Sequence, residues 1–95
     1  MTRDEILRAV DGNRGRLSAL GVVELSLFGS YARGDAGPQS DVDFLVEFSE
    51  KSFDRYMDLK EFLQELLGRR VDLVLKSAIK TRLRERILSE AVRAA

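Results

Sequence analysis

The sequence predicts a small α/β (α+β) fold, a mixed β-sheet of about three strands flanked by helices. The stretches Val22–Phe28, Asp41–Phe48 and Val71–Leu75 are short runs rich in branched and aromatic residues, bounded by glycines and turn formers. The segments before, between and after them carry apolar residues at helical spacing. One such helical segment separates the second run from the third, which demands a parallel crossover, whereas a loop alone returns the first run to the second.

The elements follow in order. Thr2-x-x-Glu5 reads as a capping box, so a helix starts at about Arg3 with Ile6, Leu7 and Val10 on its apolar face. Asp11-Gly12-Asn13 and Gly15 predict a break, after which Leu17 and Leu20 restore the apolar face and Gly21 caps the end. Val22–Phe28 is the first strand, Gly29 ends it, and Ser30 to Arg33 suit a single helical turn beginning at the Gly-Ser step. Gly34 to Ser40 is loop. Asp41–Phe48 is the second strand, with Val42, Phe44, Val46 and Phe48 on one face and Asp41, Asp43, Leu45 and Glu47 on the other. Ser52 caps a helix whose apolar face is Tyr56, Leu59, Leu63, Leu66 and Leu67, stopped by Gly68. Val71–Leu75 is the third strand, and a last helical region starts at Ser77, with Ile79, Leu83, Ile87 and Ala91 recurring every four residues.

Composition narrows the chemistry. Ninety-five residues are expected to form one domain, 1–95, near the lower limit for a self-sufficient core. The chain has neither cysteine nor histidine, so disulfides, thiolate metal sites and imidazole catalysis are excluded. Any metal must be held by oxygen, which favours magnesium or a similar hard cation. No apolar run approaches the roughly 20 residues that span a bilayer, and Met1 to Glu5 lead into an amphipathic helix, so the expectation is a cytoplasmic protein without a membrane partner. The net charge is zero but segregated: residues 41–75 hold five basic and nine acidic side chains, residues 76–95 six basic and two acidic. An acidic middle suits a metal, and a basic tail suits either an anionic partner or a solvated helix face.

The polar residues that packing does not explain are Gly29-Ser30, the pair Asp41 and Asp43, and Asp72 inside an otherwise apolar strand. The parallel crossover brings the N-terminal ends of the second and third strands to one sheet edge, where the first strand ends too. Three carboxylates and a Gly-Ser step are therefore expected to converge. Such carboxylates would raise each other's pKa unless cations joined them, and two divalent ions bridged by carboxylates can activate a hydroxyl and stabilise a leaving phosphate oxygen. Glycine allows backbone N–H groups close to a phosphate, and a helix N-terminus favours its charge. A Walker phosphate loop is absent, and a calcium-binding EF-hand would need glycine where Val46 stands. Direct nucleic-acid binding is not expected, because no aromatic residues interleave with the basic ones.

Gly29-Ser30, ten intervening residues and Asp41-Val42-Asp43, followed by Asp72, resemble the minimal nucleotidyltransferase (MNT) domain of the DNA polymerase β-like superfamily. The segments GSYARG, SDVDFLVEF and RRVDLVLKSAIKTRLRERIL carry the resemblance over most of residues 20–90. It implies the polymerase β-like nucleotidyltransferase fold. Small stand-alone members are similar to antitoxins paired with a HEPN-type ribonuclease toxin, to which they transfer AMP from ATP at a tyrosine. The resemblance further implies that Gly29 and Ser30 hold the triphosphate and that Asp41 and Asp43 bind Mg2+, in two ions. Asp72 is then the third ligand and the base for the incoming hydroxyl, and Arg33 a contact for phosphate or partner. A hetero-oligomer with the toxin follows. The alternatives are an antitoxin that acts by occlusion alone and a nucleotidyltransferase for a small molecule.

Overall fold

The computed structural model describes residues 1–95. The elements are α1 (Arg3–Asp11), α2 (Arg14–Ala19), β1 (Val22–Phe28), α3 (Gly29–Arg33), β2 (Val42–Phe48), α4 (Phe53–Leu67), β3 (Val71–Leu75), α5 (Thr81–Glu90) and β4 (Val92–Arg93). A 3-10 turn, Lys76–Ala78, joins β3 to α5. The four strands form one sheet in the order β3-β2-β1-β4. β1 runs antiparallel to β2 and β4, and β2 parallel to β3, as the α4 crossover requires.

Local chemistry sets the boundaries. Thr2 and Glu5 close the capping box reciprocally, with Glu5 N–H donating to Thr2 Oγ1 at 3.2 Å and Thr2 N–H to Glu5 Oε1 at 3.0 Å. The break between α1 and α2 falls at Gly12 and Asn13, where the Asn13 side-chain amide donates to the Ala9 carbonyl at 2.8 Å. Ser52 caps α4 by accepting from Arg55 N–H, and Gly68 ends it at φ +63°, a left-handed conformation that other residues adopt only with strain.

The sheet has two unlike faces. Val42, Phe44, Val46 and Phe48 join Leu25, Leu27, Val71 and Leu73 in the main core, against Ile6 and Val10 of α1, Leu17 of α2, and Leu59, Leu63 and Leu67 of α4. The opposite face carries Asp43, Leu45 and Glu47 in alternation. Leu45 and its cross-strand neighbour Ser26 are buried there, Ser26 on β1, the strand that α5 contacts. The outer edge of β3 is closed by α4, since Gln64 Oε1 accepts from Val71 N–H at 3.2 Å and the Tyr56 hydroxyl donates to the Leu73 carbonyl at 2.6 Å. No helix is long and apolar enough to cross a membrane.

Two regions differ from the sequence reading. The helix expected from Ser77 starts only at Thr81, and no residue of α5 is buried, so the Ile79–Leu83–Ile87–Ala91 row does not enter the core. Amphipathic spacing reports a preferred face, whereas burial needs a surface beneath that face. After Ala91 the chain extends and pairs as β4, with Arg93 opposite Ser26 and Val92 opposite Leu27. Two residues before a pair of alanines carry no periodicity from which a strand could be read.

The contrast between α4 and α5 predicts stabilities. Leu63, fully buried, should cost about 2–5 kcal/mol when changed to alanine. Leu83→Ala should change urea-unfolding stability by less than about 0.5 kcal/mol, because the side chain is 43% exposed. Equal losses at the two positions would mean that α5 is packed more firmly than its exposure indicates.

Candidate active site

At Phe28 the chain must turn sharply while staying at the sheet edge. Gly29 achieves this with φ +73°, and a second constraint disfavours a side chain there: a Cβ on Gly29 would displace the Asp43 carboxylate. α3 follows at once, its single turn closed by Gly34 N–H and Asp35 N–H donating to the Ser30 carbonyl at 2.9 and 3.0 Å. Ser30 thus lies in the first turn, beside the backbone over which Asp43 folds. Tyr31 is 5% exposed and belongs to the core, a packing residue.

Asp43 stands opposite Phe28 in the antiparallel ladder and beside Asp72 in the parallel one, so Asp43 and Asp72 project from the same face. Burial first, then the charges of Asp72 and Asp41, push the Asp43 carboxyl from its usual 3.8 up to about 6, and Arg33 offsets part of this. Asp41 lies just before β2, where its Oδ1 forms an ion pair with Arg70 Nε at 3.4 Å. The expected convergence of three carboxylates is therefore met only in part. Asp43 and Asp72 are neighbours, Asp41 faces Arg70, and no three acidic side chains stand close enough to hold one ion together. The Asp41–Arg70 pair is exposed and such pairs contribute about 0–1 kcal/mol, so Asp41 can exchange one cation for another at small cost. An all-oxygen donor set that already carries excess negative charge has the chemistry that suits a hard divalent cation.

Arg33, at the end of α3, is held from two sides: Nε donates to Asp35 Oδ2 at 3.1 Å and Nη1 to Glu90 Oε2 at 3.1 Å. Neither Arg70 nor Glu90 stands out in the sequence. Arg70 precedes β3 as Asp41 precedes β2, and its carbonyl accepts from Val42 N–H, so the parallel pairing was a usable signal. Glu90 lies 57 residues from Arg33, and only the return of the chain through β4 brings it near.

The surface over the carboxylates is open. A depression of about 170 Å³ touches Asp41 with Ser40, Arg69 and Arg70, and another of about 370 Å³ lies between α1 and α3, lined by Thr2, Arg3, Tyr31 and Arg33. Neither encloses Asp43. The geometry is that of an exposed sheet edge with a Gly-Ser turn, a half-buried carboxylate and a second carboxylate beside it.

Known proteins resemble this chain in sequence and fold. Residues 10–94 match the family described as nucleotidyltransferase domain. A relative from Thermococcus cleftensis, named protein adenylyltransferase MntA, is 43% identical over 94 residues, covering 97% of this chain and 95% of its own. A solved structure described as a candidate minimal nucleotidyltransferase superposes with a TM-score of 0.84 at 36% identity, covering 97% of this chain and 95% of that one. A structure of a tri-AMPylated Shewanella oneidensis HEPN toxin in complex with MNT antitoxin aligns with a TM-score of 0.65 over 94% of this chain and 71% of that one. At 19% identity this last likeness is one of fold. The chain belongs to the nucleotidyltransferase domain family, and it is a minimal nucleotidyltransferase.

Proposed function

We propose that this enzyme is an antitoxin that transfers AMP from ATP to a tyrosine of a HEPN-type ribonuclease toxin and so inactivates it. The observation that carries this reading is the Asp43 carboxylate pressed over Gly29 beside Asp72, next to the Ser30 turn. A protein gains nothing in stability from crowding two carboxylates, whereas a site for a metal-bound triphosphate gains a pre-assembled ligand set. Its relative's name, protein adenylyltransferase, supports a protein as acceptor, and so does the open sheet edge, which offers no walled pocket for a small molecule. An antitoxin acting by occlusion alone would have no use for a half-buried Asp43 beside Asp72.

In this reading the backbone of Gly29 and the Ser30 hydroxyl bind the triphosphate, and Arg33 contacts its phosphates. Asp41, Asp43 and Asp72 would hold Mg2+, shared between two ions. Bound there, the ions would neutralise the phosphates and favour in-line displacement. Asp72 accepts the proton of the tyrosine hydroxyl as its oxygen attacks the α-phosphorus. The new O–P bond forms as the bond to the bridging α,β-oxygen breaks, and pyrophosphate leaves with that electron pair. Positioning and charge complementarity supply most of the acceleration. A cytoplasmic setting and a complex with the toxin belong to the same reading.

Incubating the chain with a cognate HEPN-type toxin, α-labelled ATP and Mg2+ should place AMP on a tyrosine, read by mass spectrometry. Asp41→Asn and Asp43→Asn should each lower label incorporation by about 10³-fold or more, and normal incorporation in either variant would sink the proposal.

Asp43 also sets a pH dependence of stability. A carboxyl whose folded pKa lies above its unfolded value costs stability once pH rises through the folded value, here about 6. Asp43→Asn should therefore raise the melting temperature at pH 7.5 in chelator, by about 5 °C for a cost on the order of 1 kcal/mol after solvent screening. The gain should vanish as pH falls towards 4. Added Mg2+ should stabilise the wild type and leave the Asn variant unmoved; a variant that melts earlier than wild type at pH 7.5 would contradict the assignment.

A further inference from the structure

α5 is the one helix with no buried residue, whereas α1 to α4 each bury at least one. Leu83 and Leu88 are 43% and 38% exposed, and they stand among Arg82, Arg84 and Arg86. Arg82 and Arg84 form no ion pair, while Arg86 approaches Glu90 at 4.0 Å. At one end of the helix, Arg84 lines a depression with Glu47, Lys51 and Lys76, beyond the C-terminal ends of β2 and β3. At the other end Glu90 reaches Arg33, three residues after Ser30. The helix thus runs from the far end of the sheet to the turn that carries the candidate site.

We infer that α5 is the docking surface for the acceptor protein, and that it receives an acidic surface bearing an exposed apolar side chain. The identity of the acceptor rests on the function proposed above; the surface rests on α5 alone. Transfer to a macromolecule at an open edge requires contacts beyond the reacting atoms to hold the hydroxyl in line, and α5 is the exposed element that ends against that edge. Arginines without partners beside apolar side chains are the composition of an interface centre, where both lose water together. The charge of residues 76–95, six basic and two acidic, selects an acidic partner and speeds encounter with it. Single-stranded nucleic acid would call for aromatic stacking platforms, and α5 has no aromatic residue. A second copy could offer the acidic side of α4, with Asp54, Asp58, Glu61 and Glu65, and the experiment separates that case.

The test measures binding of the whole chain to a cognate HEPN-type toxin by calorimetry without nucleotide, and AMP transfer in parallel. Arg82→Glu with Arg84→Glu, and separately Leu88→Asp, should each weaken the dissociation constant by about tenfold or more. The circular dichroism spectrum and the melting temperature should stay at wild-type values. The arginine pair is exposed and carries the test should Leu88→Asp fold poorly. Higher salt should weaken wild-type binding and affect the arginine variant less. An unchanged dissociation constant overturns the inference. So does a wild-type self-association that the variants abolish, or loss of binding to a single-stranded RNA oligonucleotide with toxin binding intact. Toxin binding that depends on α5 without any AMP transfer supports the surface and sinks the proposed activity alone.

Discussion

The approach of the Asp43 carboxylate to the Gly29 backbone is the constraint on which the rest of the structure depends. It requires a glycine where β1 ends, with a positive φ that also starts α3 in the right direction. It requires β1 and β2 to pair antiparallel in one register, because a slip of a single residue would turn Asp43 into the core and Phe44 out of it. It also requires β3 beside β2 in parallel, which brings Asp72 alongside. The core formed by α1, α2 and α4 on the other face supplies the stability against which two adjacent carboxylates are tolerated.

Much of this was legible in the sequence because it is local or follows from handedness. The strands Val22–Phe28 and Val71–Leu75 appear where branched residues and flanking glycines put them, and the capping box at Thr2 and the stop at Gly68 are read from side-chain chemistry alone. The pairing of Asp43 with Asp72 followed from a crossover rule, with no further information. What stayed hidden depends on distant partners or on the lack of them. The ion pair of Asp41 with Arg70 arises from pairing between chain segments, and the grip of Glu90 on Arg33 from a two-residue strand without periodicity. That the apolar row of α5 stays out of the core could not be foreseen, since its spacing would look the same over a core.

The site is built from parts of unequal stiffness. Asp43 and Asp72 are carried by adjacent strands in the middle and at the edge of the sheet, so their separation is set by backbone hydrogen bonds. Asp41 precedes its strand and Arg33 follows a single helical turn, and both are held by exposed ion pairs of small net energy. Charge arriving at this edge meets two carboxylates whose spacing the sheet fixes and two side chains held only by ion pairs.

The hydrogen bonds from Gln64 and Tyr56 to the outer edge of β3 have a consequence for how such a small enzyme evolves with its partners. An uncovered edge strand invites any extended peptide to extend the sheet through main-chain bonds that ignore sequence. With the Val71 N–H and the Leu73 carbonyl already satisfied, that indiscriminate route is discouraged, and recognition is left to side chains on helical surfaces. Paralogous copies in one cell could then diverge in partner choice by surface substitutions alone, each keeping the same sheet and the same chemistry without cross-reaction through a shared backbone edge.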